Sequence, residues 1–474
     1  MGGLFGVASK RDGVADLFFG TDYHSHLGTN RGGLVVCEDG HFSKAIHNIE
    51  NAPFRTKFSD DVRHMKGSLG IGSISDGSPQ PLIVRAHFGN FVLGTVGRVN
   101  NSREILKKVL SDNRGQLMEM SRGRVNETEL VATIISSCDT LIDGMKAALA
   151  QVNGSLTMLV MTTEGIYAAR DRYGRTSLTI GKNGDGYAVS MENFAYQNLD
   201  YQDAYELGPN EIVLIKPDGY ETIEKPGRTM KICTFLWTYY GYPPANYAGK
   251  NVEAVRYRCG ASLARRDAGL EVDCVSGVPD SGIAHALGYA NASGLPYTRP
   301  LIKYTPTWPR SFMPPTQSTR QMIANMKLIS IPSLIKDKRL LLVDDSIVRG
   351  TQTKKMADYL FEAGAKEVHI RSACPPIMYG CKYLNFSRST SEYDLIARRM
   401  VREIEGEHDE ERLPAYIDHR TDEHREMVSR ICEHSRFTSL GYHELEDMID
   451  AVGIDRCKLC TYCWDGKEDM AEKD

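Results

Sequence analysis

Along the first half of the chain, apolar residues recur in short alternating bursts separated by Gly, Asn and Asp turns, the period-two signature of half-buried strands. Gly3–Ala8, Leu34–Val36, Ser68–Ser75 and Phe91–Val99 each read as a strand. Ser155–Thr162, Gly165–Ala169, Leu178–Gly181 and Tyr187–Ser190 read as a meander, with Asp171–Arg175 a tight polar turn and Glu206–Ile215 a turn into a further strand. Two insertions have helical spacing instead: Glu104–Leu110, and Glu127–Ser137 behind the capping residues Asn126 and Thr128. Beyond about residue 230 the pattern changes. The runs Asp273–Val278 and Leu340–Val343 are followed by helical patterns, Ile283–Ser293 and Lys354–Glu362, the latter stopped by Gly364; Val252–Leu263 reads as another helix. Apolar strands alternating with helices predict a parallel sheet. The expected architecture is therefore a strand-rich domain over residues 1–230 and an α/β domain over 231–474, crossing near Pro226–Arg228.

A length of 474 residues suits two or three domains. The formal charge of −4 gives no reason to expect a nucleic-acid or membrane partner, and no run of 18 apolar residues or signal-type start is present. A soluble cytoplasmic chain is expected. Eleven cysteines are an odd number for a disulfide framework, and their clustering points to metal or redox chemistry. Glu392–Arg430 is dense in charge and reads as exposed helix and loop. Arg256, Arg258, Arg265 and Arg266 read as a solvated helix face, with a basic mouth to a polyanion pocket as the alternative.

The chemistry concentrates in Leu340–Thr353, L-L-L-V-D-D-S-I-V-R-G-T-Q-T. Asp344 and Asp345 fall at the C-terminal end of a strand, where open α/β sheets place ligands. Ser346, Ile347, Val348, Arg349, Gly350 and Thr351 then lead into a helix whose N-terminal amides suit a phosphate. Carboxylates next to an anion site suit a polyol or Mg²⁺. A sugar phosphate is the economical ligand.

The string V-D-D-S-I-V-R-G-T resembles the 5-phosphoribosyl-1-diphosphate (PRPP) loop of the glutamine PRPP amidotransferases, which make phosphoribosylamine in purine synthesis. That resemblance implies an N-terminal-nucleophile-type αββα sandwich followed by a type I phosphoribosyltransferase domain. It implies that Asp344 and Asp345 hold the ribose hydroxyls, that the loop after them holds the 5-phosphate, and that Ser281 joins them around Mg²⁺. Taken alone, Ser281 would be an ordinary helix cap. Lys303 and Arg310 match positions of the family's mobile catalytic loop, although its middle is remodelled to Tyr304–Pro309; Gln317, Arg320 and Lys327 match positions that meet the diphosphate.

The N-terminal half resembles the same family's glutaminase domain in its landmarks, Asp171–Leu178 and Glu206–Glu211, but not in its chemistry. The nucleophilic Cys is Gly2, the Arg that grips the glutamine carboxylate is Ser75, the oxyanion-hole Asn is Val96, and the Asp that binds the substrate amine is Glu127. An inactive glutaminase is the expectation, since nothing at position 2 can attack an amide.

Cys233, Cys381, Cys457 and Cys460 match the iron–sulfur subgroup of the family and imply a [4Fe–4S] cluster; scattered buried thiols with a zinc knuckle are the alternative. Cys463 reads as an extra. The implied reaction joins PRPP to ammonia, free or delivered by a glutaminase partner, in a dimer or tetramer. The alternatives are transfer to another small amine, and a PRPP-binding regulator that assembles with an active paralogue.

Overall fold

A computed structural model describes residues 2–111, 120–121, 124–303, 328–384 and 391–468. The chain divides into two compact units, the first running to Cys233 and taking in residues 382–384, the second beginning at Thr234.

The first unit is built on two large antiparallel sheets. One has seven strands: β1 (Gly2–Ser9), β2 (Arg31–Glu38), β3 (His41–Asn48), β4 (Leu69–Ser75), β9 (Thr179–Lys182), β10 (Gly186–Ser190) and β11 (Gln202–Glu206), in the order β11-β9-β10-β1-β4-β2-β3. The other has six: β5 (Leu82–Ala86), β6 (Gly89–Val99), β7 (Gly154–Met161), β8 (Ile166–Ala169), β12 (Ile212–Lys216) and β13 (Gly219–Glu224), in the order β13-β12-β8-β7-β6-β5. Leu4, Val35 and Ile71 from the first sheet pack against Val92, Leu159 and Met161 from the second. Helices α1 (Val14–Asp22) and α2 (Phe54–His64) cover the outer face of the first sheet. Helices α3 (Ser102–Ser111), α4 (Glu127–Ser136) and α5 (Leu141–Gln151) cover that of the second. This is the expected αββα sandwich. It has more helix than the two insertions read from the sequence, because α1, α2 and α5 bury a face that their local composition does not display. Asn126 caps α4 as expected, accepting from Thr128 N at 2.9 Å.

The second unit is built on four parallel strands, β14 (Cys274–Gly277), β15 (Arg339–Asp344), β16 (Glu367–Ser372) and β17 (Ser439–Tyr442), in that order. Leu340 to Val343 are each fully buried, as a strand covered on both faces requires. Its longer described helices are α6 (Val252–Arg266), α7 (Ile283–Ser293), α8 (Thr351–Glu362), α9 (Ile396–Glu405), α10 (Asp409–Ile417), α11 (Asp422–Ser435) and α12 (Leu445–Val452). The charge-dense stretch 392–430 is not the exposed segment its composition suggests. Ile396, Met400, Val401, Leu413, Tyr416 and Met427 join one core with Leu342, Ile370 and Leu360. Apolar residues four apart give α9 a buried stripe beneath its charges. No described helix is long and apolar enough to cross a membrane.

Candidate functional site

Strand β15 delivers Asp344 and Asp345 to its C-terminal edge, where both are buried. Ser281, in the turn before α7, donates its Oγ hydrogen to Asp344 Oδ1 at 3.2 Å. Asp345 N donates to the same oxygen at 2.9 Å, and Ser346 Oγ donates to Asp345 Oδ1 at 2.6 Å. Burial, then repulsion from Asp345, pushes the Asp344 carboxyl well above the usual carboxylate range. Burial also raises Asp345, against hydrogen bonds from Ser281 and Ser346 and the positive charge of Arg256. Two adjacent carboxylates held out of water attract a cation or a set of hydroxyl donors, because either relieves the cost of burying charge. Their hard oxygens and the Ser281 hydroxyl are the donor types Mg²⁺ takes, with water or substrate completing its shell.

Beyond the acids the chain turns at Gly350, with φ of +75°, and enters α8. Thr353 Oγ1 donates to Gly350 O at 2.9 Å, tightening the first turn. First-turn N–H groups have no partner within a helix, so this end, next to the acid pair, offers donors that suit an anion. Lys303 lies on a short strand, Leu301–Lys303, and its Nζ donates to Asp280 Oδ2 at 2.7 Å. Lys303, Ser281, Asp344 and Asp345 are therefore linked through the 280–281 turn. Arg310, Gln317, Arg320, Lys327 and the 304–309 segment lie outside the described residues.

Arg256 does not belong to a solvated face. It is 6% exposed, and its guanidinium donates to the carbonyls of Trp237 (2.9 Å), Tyr239 (3.1 Å) and Gly241 (2.8 Å). Only its distant partners reveal this, since a helical stretch rich in arginine looks the same whether its cations meet water or main-chain oxygen.

In the first unit, three of the four altered positions come together. Gly2 pairs with Ser75 across β1 and β4. A Cβ on Gly2 would sit 2.4 Å from Ile74 O and 3.3 Å from Val96 Cγ2. Glu127, the fourth, is the exposed first residue of α4, and the hydroxyl of its neighbour Thr128 lies 2.7 Å from that of Thr95. Gln80 fills the space between these elements. Its Oε1 accepts from Thr95 N at 2.7 Å and Thr128 Oγ1 at 3.3 Å, and its Nε2 donates to Thr95 O at 2.9 Å. Sequence reasoning gave no role to Gln80, because its partners come from two remote elements.

Among the described residues, no group of three or more His, Cys, Asp or Glu is arranged to hold a metal ion. Cys233 and Cys381 are buried, Cys460 and Cys463 half-buried, and Cys457 exposed. The Cys460 carbonyl accepts from Thr234, the residue after Cys233, through N at 3.4 Å and Oγ1 at 2.9 Å. The Cys463 carbonyl accepts from Met378 N at 2.9 Å and Tyr379 N at 3.1 Å, just before Cys381.

No family model matches the chain. An amidophosphoribosyltransferase from Mycobacterium tuberculosis is 34% identical over 480 residues, covering 98% of this chain and 85% of its own. Among solved structures, the glutamine PRPP amidotransferase of Bacillus subtilis complexed with ADP and GMP matches with a TM-score of 0.84 at 28% identity, covering 98% of this chain and 97% of that one. A structure described as the allosteric regulatory enzyme of purine biosynthesis matches with a TM-score of 0.84 at 26% identity, covering 99% and 96%. Identity at this level along nearly the whole chain, on the same two-unit fold, shows that the chain belongs to the amidophosphoribosyltransferase family.

Proposed function

We propose that the second unit binds PRPP with Mg²⁺ and transfers the phosphoribosyl group to ammonia, giving phosphoribosylamine and diphosphate, and that the chain has no glutaminase activity of its own. One contrast carries the reading. A buried acid pair precedes a helix N-terminus in one unit, while in the other Gly2 offers no side chain and an added Cβ would lie 2.4 Å from Ile74 O.

In this reading Asp344 and Asp345 accept hydrogen bonds from the ribose hydroxyls, and the 346–351 loop with the start of α8 holds the 5-phosphate. The ammonia nitrogen forms a bond to ribose C1 as the C1–O bond breaks, its electron pair leaving on the diphosphate; the new ammonium group then gives up a proton to solvent. Mg²⁺, when bound, neutralises the leaving diphosphate. The residues supply position and fixed charge, which is what a loose, cationic transition state at C1 requires. The relatives' place in purine biosynthesis supports phosphoribosylamine as the product.

A structural [4Fe–4S] cluster is the second part of the proposal. The main-chain ties of Cys460 to Thr234 and of Cys463 to Met378 and Tyr379 hold the tail beside Cys381 within the second unit, which supports those thiols as ligands; Cys233 enters through the resemblance alone. Exposure argues for Cys463 in place of Cys457 beside Cys460, because a four-thiolate site excludes water from its sulfurs.

Titration calorimetry with Mg²⁺ and PRPP tests the binding half. The intact protein should bind, and Asp345→Asn should bind ~10- to 100-fold more weakly, the range for losing a hydrogen-bonded charge. Equal affinity in the variant removes Asp345 from the site, and no binding by the intact protein removes the reading.

A further inference from the structure

The loop that would hold the 5-phosphate is itself held by the charge-dense segment that the sequence suggested was solvated. Ile396 N donates to Val348 O at 2.8 Å, and Arg399 Nη2 donates to Arg349 O at 3.3 Å. Asp394 lies 3.9 Å from the Arg349 guanidinium. A Cβ on Gly350 would sit 2.2 Å from Ile396 Cδ1, so the loop packs against α9 with no space between them.

The same helix is anchored at its other side by Arg398, which is 1% exposed. Its Nη2 donates to Glu410 on α10, its Nη1 donates to Met378 O at 3.4 Å, and its guanidinium lies 5.9 Å from the centre of the Tyr379 ring. Glu392, just ahead of α9, accepts from Gly380 N at 2.9 Å. Arg398, held by partners on both α10 and the 378–380 turn, therefore fixes α9 to that turn, and α9 contacts the main chain of 348–350.

We propose that α9 is the strap that positions the phosphate loop, and that Arg398 is a positioning residue for the bound sugar phosphate although it touches no part of it. The inference rests on the PRPP reading above. Main-chain carbonyls of Val348 and Arg349 turned towards α9 set the direction of the N–H at the other end of each peptide unit, because the two ends point in opposite directions. Releasing α9 lets those carbonyls turn and misaligns the donors. In the PRPP reading Mg²⁺ at Ser281 and Asp344 would carry the diphosphate, and that site rests on the 280–281 turn rather than on the 348–350 main chain, so the two halves of PRPP should respond differently.

The test uses the full chain with Mg²⁺ and two probes, ribose 5-phosphate and inorganic diphosphate, measured by calorimetry for the intact protein, Arg398→Met, Arg398→Lys and the double variant Asp394→Ala/Arg399→Ala. Removing one partner of a buried ion pair can prevent folding; the double variant alters only partly exposed side chains and keeps the core. Ribose 5-phosphate affinity should fall ~10-fold in Arg398→Met and in the double variant, the size of one misaligned charge-assisted contact. Diphosphate affinity should stay within about twofold, the scatter of independent sites, and Arg398→Lys should recover part of the loss. Hydrogen exchange at 347–352 should quicken in the same variants. Equal weakening for both probes, or unchanged ribose 5-phosphate affinity in the double variant, overturns the strap. Failure of the intact protein to bind ribose 5-phosphate or PRPP at all overturns the PRPP reading with it.

Discussion

Replacing Gly350 with Ala tests the phosphate loop at its tightest point. Two costs are expected. An L-residue at φ +75° and ψ −11° sits in the left-handed region, at about 1–2 kcal/mol. The new Cβ would also lie 2.2 Å from Ile396 Cδ1, an overpacking cost of about 1–3 kcal/mol. Together Gly350→Ala should lose about 2–5 kcal/mol. Ile396→Val removes the colliding atom and alone costs about 0.5–1.5 kcal/mol. In that background only the backbone term remains, so Gly350→Ala should cost about 1–2 kcal/mol. The assay is a double-mutant cycle by urea unfolding, with PRPP calorimetry alongside. Additivity of the two substitutions to within about 0.5 kcal/mol would refute the contact between loop and strap.

Gly2→Cys should release no glutamate from glutamine and should lower the Tm, because its Cβ would lie 2.4 Å from Ile74 O; glutamate release comparable to an active family member would contradict the proposal that the other altered positions also disable the site. Burial lowers the pKa of both His24 and His443 from 6.5 to about 4, so the folded state holds them neutral where the unfolded chain binds protons. Their contribution to stability is full above pH 6.5 and is lost as pH falls towards about 4, at about 1.4 kcal/mol per histidine per pH unit. Urea midpoints across that window should fall steeply, and His24→Gln should flatten the slope. Anaerobically purified protein should contain iron and sulfide and absorb in the visible, Cys463→Ser should lose both, and Cys457→Ser should keep them; the reverse pattern would return Cys457 to the ligand set.

The acid pair and the phosphate loop were legible in the sequence because local order encodes them. Four apolar residues followed by two acids mark a strand end, and the helical pattern after them marks the helix, both of which the structure has at Arg339–Asp344 and Thr351–Glu362. The expectation that the nucleophile is missing at Gly2 rests on local order in the same way. What escaped depends on distant partners. Helix α1 has apolar residues on most sides, so it offers no stripe to read, and α2 is dominated by polar residues around Phe54 and Phe58. Residues 392–430 were misread by counting charges rather than placing them: Ile396 and Met400 on α9, and Met427 and Ile431 on α11, recur four apart beneath a charged surface. Arg256 and Gln80 acquire their roles from carbonyls and hydroxyls far along the chain, which no local pattern announces.

The central claim is that the PRPP half of the reaction persists without the glutamine half. It is tested most directly by incubating anaerobically purified protein with PRPP and Mg²⁺ and following diphosphate, first with glutamine and then with ammonium. The account predicts no diphosphate above background with glutamine and sustained release on adding ammonium, abolished by Asp345→Asn. Glutamine-dependent release by the chain alone would contradict it.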